Sequence, residues 1–465
     1  MEPLPLSRLA EFAQAQIEAG DPSLTIARVS TDSRTVQAGD LFVAIVGENF
    51  DGHDFVEQVA ERGATGALVS TTWQGTVPQD FALLRVADTL VGYQQIAAGY
   101  RRCLPLQVIA ITGSNGKTST KDFVAAALGR HFRVTKTEGN FNNHIGLPRT
   151  MLEASAEDQI AVWELGMNHP GEIAALAALA RPDLGVITNV GVAHIEFMGS
   201  REAIALEKGA LAAAVSSAGT MVLSGDDPFT DSIAQRTSAK IVLAGVERGS
   251  VRAEDITQNL GGSEFTIVEG AHRCRAQLPV PGLHMVQNAL LAIAVGRVFG
   301  LSIEECAAGL ASAPLTKARL QVRDLGGVRF LDDSYNANPE SMKAALRTLV
   351  ELEADGRRIA VLGQMSELGA ESERGHAEVG EAAAEFRIDH LIAIGELGGA
   401  MARAAERAGL EKTTTVADAR EAAEKLADIV APGDLVLVKG SRSARTERVL
   451  EEFSRLQHSA VGHSP

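Results

Sequence analysis

The sequence predicts an α/β protein built from three consecutive domains, the central one containing a mainly parallel sheet. Short apolar runs rich in valine, isoleucine and leucine alternate with longer helical segments along most of the chain. Apolar strands that alternate with helices are typical of parallel sheets covered by helices on both faces. A chain of 465 residues that is 45% hydrophobic is also long enough to form several hydrophobic cores.

Breaks in this alternation predict the domain boundaries. The first domain is expected over residues 1–105 and ends at Pro105, which interrupts a helix before the next strand. The second domain, residues 106–313, opens with an apolar strand at 108–112, and the third, residues 314–465, repeats the pattern. The remaining expected strands are 41–45, 67–69, 81–86, 160–163, 184–188, 221–224, 241–244, 330–331, 359–362, 391–394 and 435–438, and the expected helices include 55–62, 89–101, 173–180, 202–214, 286–299 and 303–311.

Composition and charge exclude several classes of protein. The 43 basic and 59 acidic residues give a net charge of −16, which argues against a general affinity for nucleic acid or anionic membranes. The three cysteines lie far apart without C-x-x-C spacing, so neither a disulfide framework nor a zinc site is indicated. The chain shows no secretory signal and no apolar run approaching the roughly 20 residues that span a bilayer. We therefore expect a cytoplasmic protein without membrane insertion.

The clearest chemical feature is a glycine-containing loop between a buried strand and a helix. Glycines let backbone N–H groups converge on phosphate oxygens, and the helix N-terminus adds partial positive charge. Only two residues separate Gly113 from Gly116, which departs from the general G-x-x-x-x-G-K-[ST] spacing, and the alternative is a plain strand–turn–helix with a chance lysine. We predict a phosphate loop that binds ATP through Gly113, Ser114, Asn115, Gly116, Lys117, Thr118 and Ser119.

Three further residues have side chains suited to a metal site. Glu164 and His194 follow apolar strands, and the carboxyl ends of parallel strands are where such sheets place their sites. Lys208 lies in an otherwise apolar helix. Each residue also has an interpretation without function: Glu164 could be a solvated strand end, His194 a loop histidine with ordinary hydrogen bonds, and Lys208 a surface lysine. Their shared placement near one phosphate loop favours the functional interpretation.

Together with several longer runs, these residues resemble the Mur ligases of peptidoglycan assembly nearly end to end. The phosphate loop, Glu164 and His194 are shared by all Mur ligases and by folylpolyglutamate synthetases. Three runs are most similar to the branch that adds D-alanyl-D-alanine: 139–148, 332–339 and 363–369. The other matching runs are 30–34, 39–44, 51–53, 112–119, 164–168, 193–197 and 439–442.

The resemblance implies an ATP-dependent ligase that forms a carbon–nitrogen bond in peptidoglycan synthesis, and so serves cell shape and division. The N-terminal domain would hold the UDP-sugar, the central domain would be the ATPase, and the C-terminal Rossmann-like domain would bring the amino substrate. ATP would phosphorylate the terminal carboxylate of UDP-N-acetylmuramoyl-tripeptide, and the amine of D-alanyl-D-alanine would then attack the acyl phosphate. The expected cofactors are ATP and Mg²⁺, and we expect a monomer.

The resemblance also implies roles for individual residues. Lys117, Glu164, His194 and Lys208 would be catalytic, with Thr118, Glu164, His194 and a carbamylated Lys208 as metal ligands. Asn288, Arg319, Asp333, Asn336 and Asn338 would contact ATP, although asparagine and aspartate also favour turns and caps. The UDP-substrate would contact Ser30, Thr31, Asp32, Ser33, Arg34, Gly52, His53, Asn140, Asn142 and Asn143.

The chain departs from the family pattern at two positions. Ala210 replaces the acid that usually follows Lys208-Gly209, and Ala318 replaces the glycine that usually precedes Arg319, which exchanges one small residue for another. The sequence leaves two alternative functions. A sister ligase that adds a diamino acid would need a recognition motif that is absent around 333–339 and 439–442. A phosphate-loop NTPase switch without ligase activity would leave two α/β domains without a role.

Overall fold

The N-terminal part of the chain forms a small α/β layer. A computed structural model describes residues 1–78 and 80–461. The five-stranded sheet has the order β2-β7-β6-β5-β4, in which only the β2–β7 pair is antiparallel, and β1 pairs with β3. Its elements are β1 Leu4–Pro5, α1 Leu6–Ala13, β2 Gln16–Ala19, β3 Thr25–Ile26, β4 Arg28–Ser30, β5 Asp40–Val43, α2 Val56–Glu61, β6 Gly66–Ser70, β7 Ala82–Val86 and α3 Thr89–Cys103, with a 3-10 turn at Gly52–Phe55.

The central part contains a six-stranded sheet of order β13-β12-β11-β8-β10-β9. Both edge strands pair in parallel with their neighbours, and β10 is buried along its whole length, as expected for a sheet covered on both faces. The strands and helices are β8 Gln107–Thr112, α4 Lys117–Leu128, β9 Val134–Lys136, α5 Gly146–Glu153, β10 Ile160–Glu164, α6 Glu172–Ala180, β11 Leu184–Ile187, α7 Ile195–Met198, α8 Arg201–Ala214, β12 Thr220–Ser224, α9 Thr230–Ala234 and β13 Lys240–Ala244.

A separate three-stranded antiparallel sheet follows the central strands. It consists of β14 Arg252–Asn259, β15 Gly262–Glu269 and β16 His272–Leu278, in that spatial order. Glycines with positive φ, Gly262 and Gly270, stand at the two hairpin turns. Two helices complete the region, α10 Leu283–Val298 and α11 Ile303–Leu310, and the capping box of Ser302 and Glu305 begins the second. The sequence reasoning above did not anticipate this sheet.

The C-terminal part forms a second six-stranded sheet, of order β17-β18-β22-β19-β20-β21. The β17–β18 hairpin is antiparallel and the other neighbours are parallel. A core that includes Phe330, Val436 and Phe453 holds helices against it. The elements are β17 Gln321–Leu325, β18 Val328–Asp333, α12 Pro339–Glu351, β19 Arg358–Leu362, α13 Ser372–Glu385, β20 His390–Ile394, α14 Glu396–Arg407, β21 Thr413–Val416, α15 Ala419–Ile429, β22 Leu435–Lys439 and α16 Glu447–Val461, with 3-10 turns at Gly369–Glu371 and Arg442–Ala444.

The described chain packs into two compact units. The first unit comprises residues 1–110, 131–166 and 171–184, and the second comprises 111–130, 167–170 and 185–461. The prediction of an α/β protein with mainly parallel sheets is confirmed. The exact boundaries 1–105, 106–313 and 314–465 stay a prediction. No helix in the described part of the chain is long and apolar enough to cross a membrane.

Candidate functional site

The predicted phosphate loop joins β8 to the first turn of α4 in a conformation that requires glycine at both ends. Gly113 has a φ of 153°, and a Cβ added there would lie 1.8 Å from Thr188 Oγ1. Gly116 has a φ of 79°, and its added Cβ would lie 2.3 Å from the Oδ1 of Asn288. Glycine therefore lets the chain turn and lets Asn288 pack against the loop.

The middle of the loop is fixed by the residues that follow β11. The Asn115 N–H donates to Asn189 Oδ1 at 2.9 Å, and the Asn115 carbonyl accepts from Asn189 Nδ2 at 3.0 Å and from Thr188 Oγ1 at 2.5 Å. Ser114 donates its N–H to the Asn189 carbonyl at 2.9 Å. These reciprocal bonds hold the middle of the loop, Ser114 and Asn115, in one shape against the residues that follow β11.

The two residues that open α4 carry the chemistry predicted for the loop. Lys117 Nζ donates to the Gly113 carbonyl at 2.8 Å, so the ammonium lies over the loop itself. Thr118 is buried, and its hydroxyl accepts from Arg319 Nη2 at 3.3 Å. Ser119 is buried in the same turn. A cation and a hydroxyl at a helix N-terminus form an arrangement suited to a polyphosphate.

Residues from the C-terminal part of the second unit meet the phosphate loop. Asn338 Nδ2 donates to Asn115 Oδ1 at 2.7 Å. Arg319 stacks on Tyr335 with its guanidinium carbon 4.2 Å from the ring centre. Its Nε is buried and has no hydrogen-bond partner among the described residues. An arginine N–H left in this way beside a glycine loop is a donor available to an anion.

Arg319 lies in a strained segment. Ala318 and Leu320, on either side of it, have φ values of 59° and 53°. This left-handed conformation is costly for residues other than glycine. The expectation that replacing the family's glycine with Ala318 merely exchanges one small residue for another is therefore wrong, because the backbone there favours glycine for its φ and not for its size.

His194 lies against a carboxylate from the C-terminal part of the same unit. Its Nδ1 is 2.5 Å from Glu367 Oε2, an ion-pair distance without the alignment of a good hydrogen bond. Both residues have positive φ, 63° and 62°. The neighbouring His194 imidazole holds the pKa of Glu367 below its ordinary value. A carboxylate beside one ring nitrogen is the arrangement that leaves the other nitrogen to act as a ligand.

Lys208 is not a surface lysine. It is 1% exposed in α8, and burial lowers its pKa well below the ordinary lysine value. The nearby positive charge of Lys117 lowers it further, while Glu207 opposes the shift. The amine is thus biased toward its neutral, nucleophilic form.

The other predicted nucleotide residues form a second cluster. Asp333 Oδ2 accepts from Lys439 Nζ at 2.5 Å, and Lys439 also donates to the Asn336 carbonyl at 3.0 Å. Burial lowers the pKa of Lys439, although the Asp333 carboxylate opposes the change. Lys439 therefore ties Asp333 and Asn336 together.

In the first unit, Glu164 ends β10 and has a fixed orientation. Asn142 Nδ2 donates to Glu164 Oε1 at 2.8 Å, and the Glu164 N–H donates to Thr137 Oγ1 at 3.0 Å. Asn143 Oδ1 accepts the N–H groups of Ile145 and Gly146 where α5 begins. Asn142 and Asn143 thus have local partners, and Asn140 bonds Asn142 through its carbonyl.

Besides Asn140, Asn142 and Asn143, the predicted UDP-sugar residues occupy two further places in the first unit. Arg34 lies exposed beside Asp32, and this guanidinium lowers the pKa of Asp32 to about 2. Ser30 is the last residue of β4, and Thr31 and Ser33 follow it in the same segment. His53 follows Gly52 and has both ring nitrogens engaged, with Asp51 Oδ1 at 2.6 Å and the Ser70 N–H at 2.9 Å. These contacts fix the orientation of the His53 ring beside the end of β6.

Four residues at the site were not assigned by sequence reasoning: Asn189, Tyr335, Glu340 and Glu367. Asn189 directly follows β11, a position that the strand-end argument could have identified. Glu340 accepts the Val192 N–H, and Glu367 lies against His194; both contacts span long sequence separations, which no local pattern reveals. Within residues 1–78 and 80–461, no group of three or more His, Cys, Asp or Glu side chains is arranged to hold a metal ion.

Comparisons with known proteins identify the family. Three family models match: "Mur ligase family, catalytic domain" over residues 25–84, "Mur ligase middle domain" over 111–296 and "Mur ligase, glutamate ligase domain" over 318–442. Each matched range lies inside one of the three predicted domains.

Similar proteins and structures cover nearly the whole chain. UDP-N-acetylmuramoyl-tripeptide–D-alanyl-D-alanine ligases from Bacillus subtilis and Escherichia coli are 38% and 36% identical, over 91% and 96% of this chain and 92% and 97% of their own. MurF from Acinetobacter baumannii superposes with a TM-score of 0.91 at 33% identity, covering 98% of this chain and 99% of that one. MurF from Thermotoga maritima in complex with ADP gives 0.83 at 31% identity, covering 93% and 98%. The chain belongs to the Mur ligase family.

Proposed function

We propose that the protein is an ATP-dependent ligase that joins D-alanyl-D-alanine to UDP-N-acetylmuramoyl-tripeptide. The products are UDP-N-acetylmuramoyl-pentapeptide, ADP and phosphate, and the reaction belongs to the synthesis of peptidoglycan precursors. Four curated relatives that cover at least 90% of this chain act on these substrates by name. The ADP complex of the Thermotoga maritima relative supports ATP as the nucleotide.

One observation carries the proposal: the phosphate loop is completed by residues from the C-terminal part of the chain. Asn338 contacts Asn115, and Arg319 contacts Thr118 while its Nε stays without a partner in the described residues. A nucleotide site built from two parts of a chain fits an enzyme that brings two substrates together.

The reaction is an acyl transfer through a phosphorylated carboxylate. A carboxylate oxygen of the tripeptide attacks the γ-phosphorus of ATP, and ADP leaves. The uncharged amine of D-alanyl-D-alanine then attacks the carbonyl carbon, loses a proton, and phosphate departs with the former carboxylate oxygen. Lys117 and Arg319 place positive charge where negative charge accumulates on the transferred phosphoryl group, and the loop N–H groups orient it.

The residues present fit Mg²⁺ as the partner of ATP. Mg²⁺ is usually held by one or two protein oxygens together with phosphates and water, so a cluster of several carboxylates is not required. Thr118 offers a hydroxyl and Glu164 a carboxylate held by Asn142. His194 and a carbamate on Lys208 are the further proposed ligands. When bound, the ion would offset the repulsion between the carboxylate and the phosphates.

The remaining assignments extend the same proposal. Asn288, Asp333, Asn336 and Asn338 contact the nucleotide, and the segment 30–34 with residues 52, 53, 140, 142 and 143 contacts the UDP-substrate. The three domains are residues 1–105, 106–313 and 314–465, and the protein acts as a monomer. The three free cysteines fit a reducing compartment, and we place the protein in the cytoplasm.

The proposal is tested by ADP release from the purified protein in matched mixtures. ADP should appear rapidly only with ATP, Mg²⁺, the UDP-tripeptide and D-alanyl-D-alanine together, and mass spectrometry should find the UDP-pentapeptide in equal amount. The Lys117→Ala variant measures the background rate of ADP release, because it loses the ammonium group but keeps the backbone amides of the loop. Equal ADP release without the tripeptide would instead identify an NTPase switch. A product formed from a UDP-dipeptide and a diamino acid would identify the sister ligase.

A further inference from the structure

The loop that carries His194 is held by side chains through three successive backbone N–H groups. Val190 donates to Asp227 Oδ2 at 2.7 Å, and Gly191 donates to Ser114 Oγ at 2.8 Å. Val192 donates to both carboxylate oxygens of Glu340, at 3.0 and 3.1 Å. Ser114 belongs to the phosphate loop and Glu340 to the first turn of α12. The loop therefore depends on α12 for one of its three bonds.

The first turn of α12 touches both loops of the site. Asn338 caps the helix through Oδ1, which accepts the Ser341 N–H at 2.9 Å, and this bond aims its Nδ2 at Asn115. Glu340, two residues later, reaches Val192. The N-cap bond fixes the direction of Asn338, and Glu340 follows in the same helical turn, so one helix end contacts both the phosphate loop and the His194 loop.

The contact is specific to this pair of residues. A Cβ added to Gly191 would lie 2.6 Å from Glu340 Oε2, and its three nearest neighbours are all atoms of that carboxylate. The absence of a side chain at position 191 is thus what admits Glu340. Lys343, one turn along the helix, pairs with Glu378 at 3.1 Å, so it does not occupy the Glu340 carboxylate.

We propose that Glu340 is a positioning residue of the ligase: by accepting the Val192 N–H, it holds the His194 loop in its working place relative to the phosphate loop. Glu340 itself touches no substrate in this account. The loss of kcat expected when Glu340 is replaced rests on the proposed function, whereas the expected faster amide hydrogen exchange of the His194 loop does not. The alternative is that Glu340 only interacts with the partial positive charge at the N-terminus of α12, as acids in the first turn of a helix often do, and does not hold the His194 loop.

The test combines amide hydrogen exchange of the peptide spanning 189–194 with steady-state kinetics. Glu340→Ala should speed exchange in this peptide about tenfold and lower kcat about tenfold, with KM for ATP and for the UDP-tripeptide within about twofold of wild type. Glu340→Gln keeps an oxygen that accepts the N–H, so it should restore most of both properties. Glu373→Ala, an exposed acid at the equivalent place in α13, is the matched control and should change neither.

A second variant, at Gly191, disrupts the same contact between the His194 loop and the Glu340 carboxylate. Gly191→Ala should displace the carboxylate and reproduce the Glu340→Ala phenotype, yet it should have no added effect in the Glu340→Ala background. Wild-type exchange in Glu340→Ala, a loss of kcat that Glu340→Gln does not restore, or full additivity of the two substitutions would overturn the proposal. Absence of ligation by the wild-type protein would overturn the proposed function alone, since the exchange measurements would still decide the contact.

Discussion

At the scale of single residues, several side chains of the site lie on backbone that L-residues rarely adopt. His194 and Glu367 contact each other and both have positive φ, and Ala318 and Leu320 flank Arg319 in the same way. Such conformations persist only where the surrounding structure holds them, and they concentrate at functional sites. These strained residues lie at two contacts made by the C-terminal part of the chain. At one, Arg319 meets the phosphate loop, and at the other, Glu367 meets His194.

Ala318→Gly should stabilise the protein. Glycine relieves the φ of 59°, and the expected gain is about 0.5–1 kcal/mol after the greater flexibility of the unfolded chain is subtracted. Ala311→Gly is the matched control, because that exposed residue has a φ of −58° and should lose a similar amount. Thermal unfolding of both variants gives the signs. A lower melting temperature for Ala318→Gly would mean that this segment is not strained.

Lys208 should carry a carbamate. Burial lowers the pKa of the Lys208 amine well below its ordinary value; in its neutral form this amine can attack CO₂ and release a proton, and the nearby Lys117 charge favours the anion that results. Protein equilibrated with ¹³C-bicarbonate should show a carbamate carbon resonance that is absent in Lys208→Ala. That variant should be nearly inactive and partly rescued by a short carboxylic acid, whereas Lys208→Arg should not be rescued. Full activity of Lys208→Ala without bicarbonate would exclude the carbamate.

At the scale of elements, the loop that carries Glu367 is fixed by a histidine of α13. His376 is fully buried, with its Nε2 accepting the Met365 N–H at 2.9 Å and its Nδ1 2.7 Å from the Ser372 carbonyl. These partners require the neutral ring with a proton on Nδ1. Burial accordingly lowers the pKa of His376 below its ordinary value. The segment between β19 and α13 is therefore sensitive to acid.

Stability should fall between neutral and mildly acidic pH partly through His376. The unfolded chain takes up a proton near pH 6.5, while the folded chain does so only at lower pH. The stabilising contribution is thus present above about pH 6.5 and is lost as the pH falls towards the folded value. Replacing His376 with Gln should reduce the drop in melting temperature between pH 7.5 and 5.5 by about 1–3 °C. An equal effect of His272→Gln, an exposed histidine on β16, would contradict this origin.

Sequence patterns predicted the long buried strands of the mainly parallel sheets but missed β14–β16, as well as the shorter or peripheral strands β1–β4, β9, β17 and β21. Long apolar runs identify the buried strands of parallel sheets, such as β10, with little ambiguity. In β14, half-buried positions alternate with exposed ones from Glu254 to Asn259, so the sequence signal is a weak alternation among polar residues. The glycine turns at 262 and 270 were the available clue.

At the site, the sequence predicted features formed by neighbouring residues but did not predict contacts between residues far apart in the chain. The phosphate loop was predictable because strand, glycines, lysine and helix lie within 11 consecutive residues, 108–118. The contacts of Glu340 with Val192 and of Glu367 with His194 join residues more than 140 positions apart. Their geometry depends on tertiary packing, which residue spacing does not encode.

At the scale of the whole molecule, the C-terminal part of the chain delivers side chains to the phosphate loop and to the His194 loop. Arg319, Asn338, Glu340 and Glu367 all reach the phosphate loop or the His194 loop from there. An enzyme assembled in this way can bring the amine to the activated carboxylate while keeping both near the leaving phosphate.

The central claim, ligation through an acyl phosphate, is tested most directly by following one oxygen atom. UDP-tripeptide labelled with ¹⁸O in its terminal carboxylate is incubated with the protein, ATP, Mg²⁺ and D-alanyl-D-alanine, and the inorganic phosphate is analysed by mass spectrometry. The account predicts one ¹⁸O in each phosphate released and one retained in each new peptide bond. Phosphate without the label would show that the carboxylate is never phosphorylated, and would contradict the account.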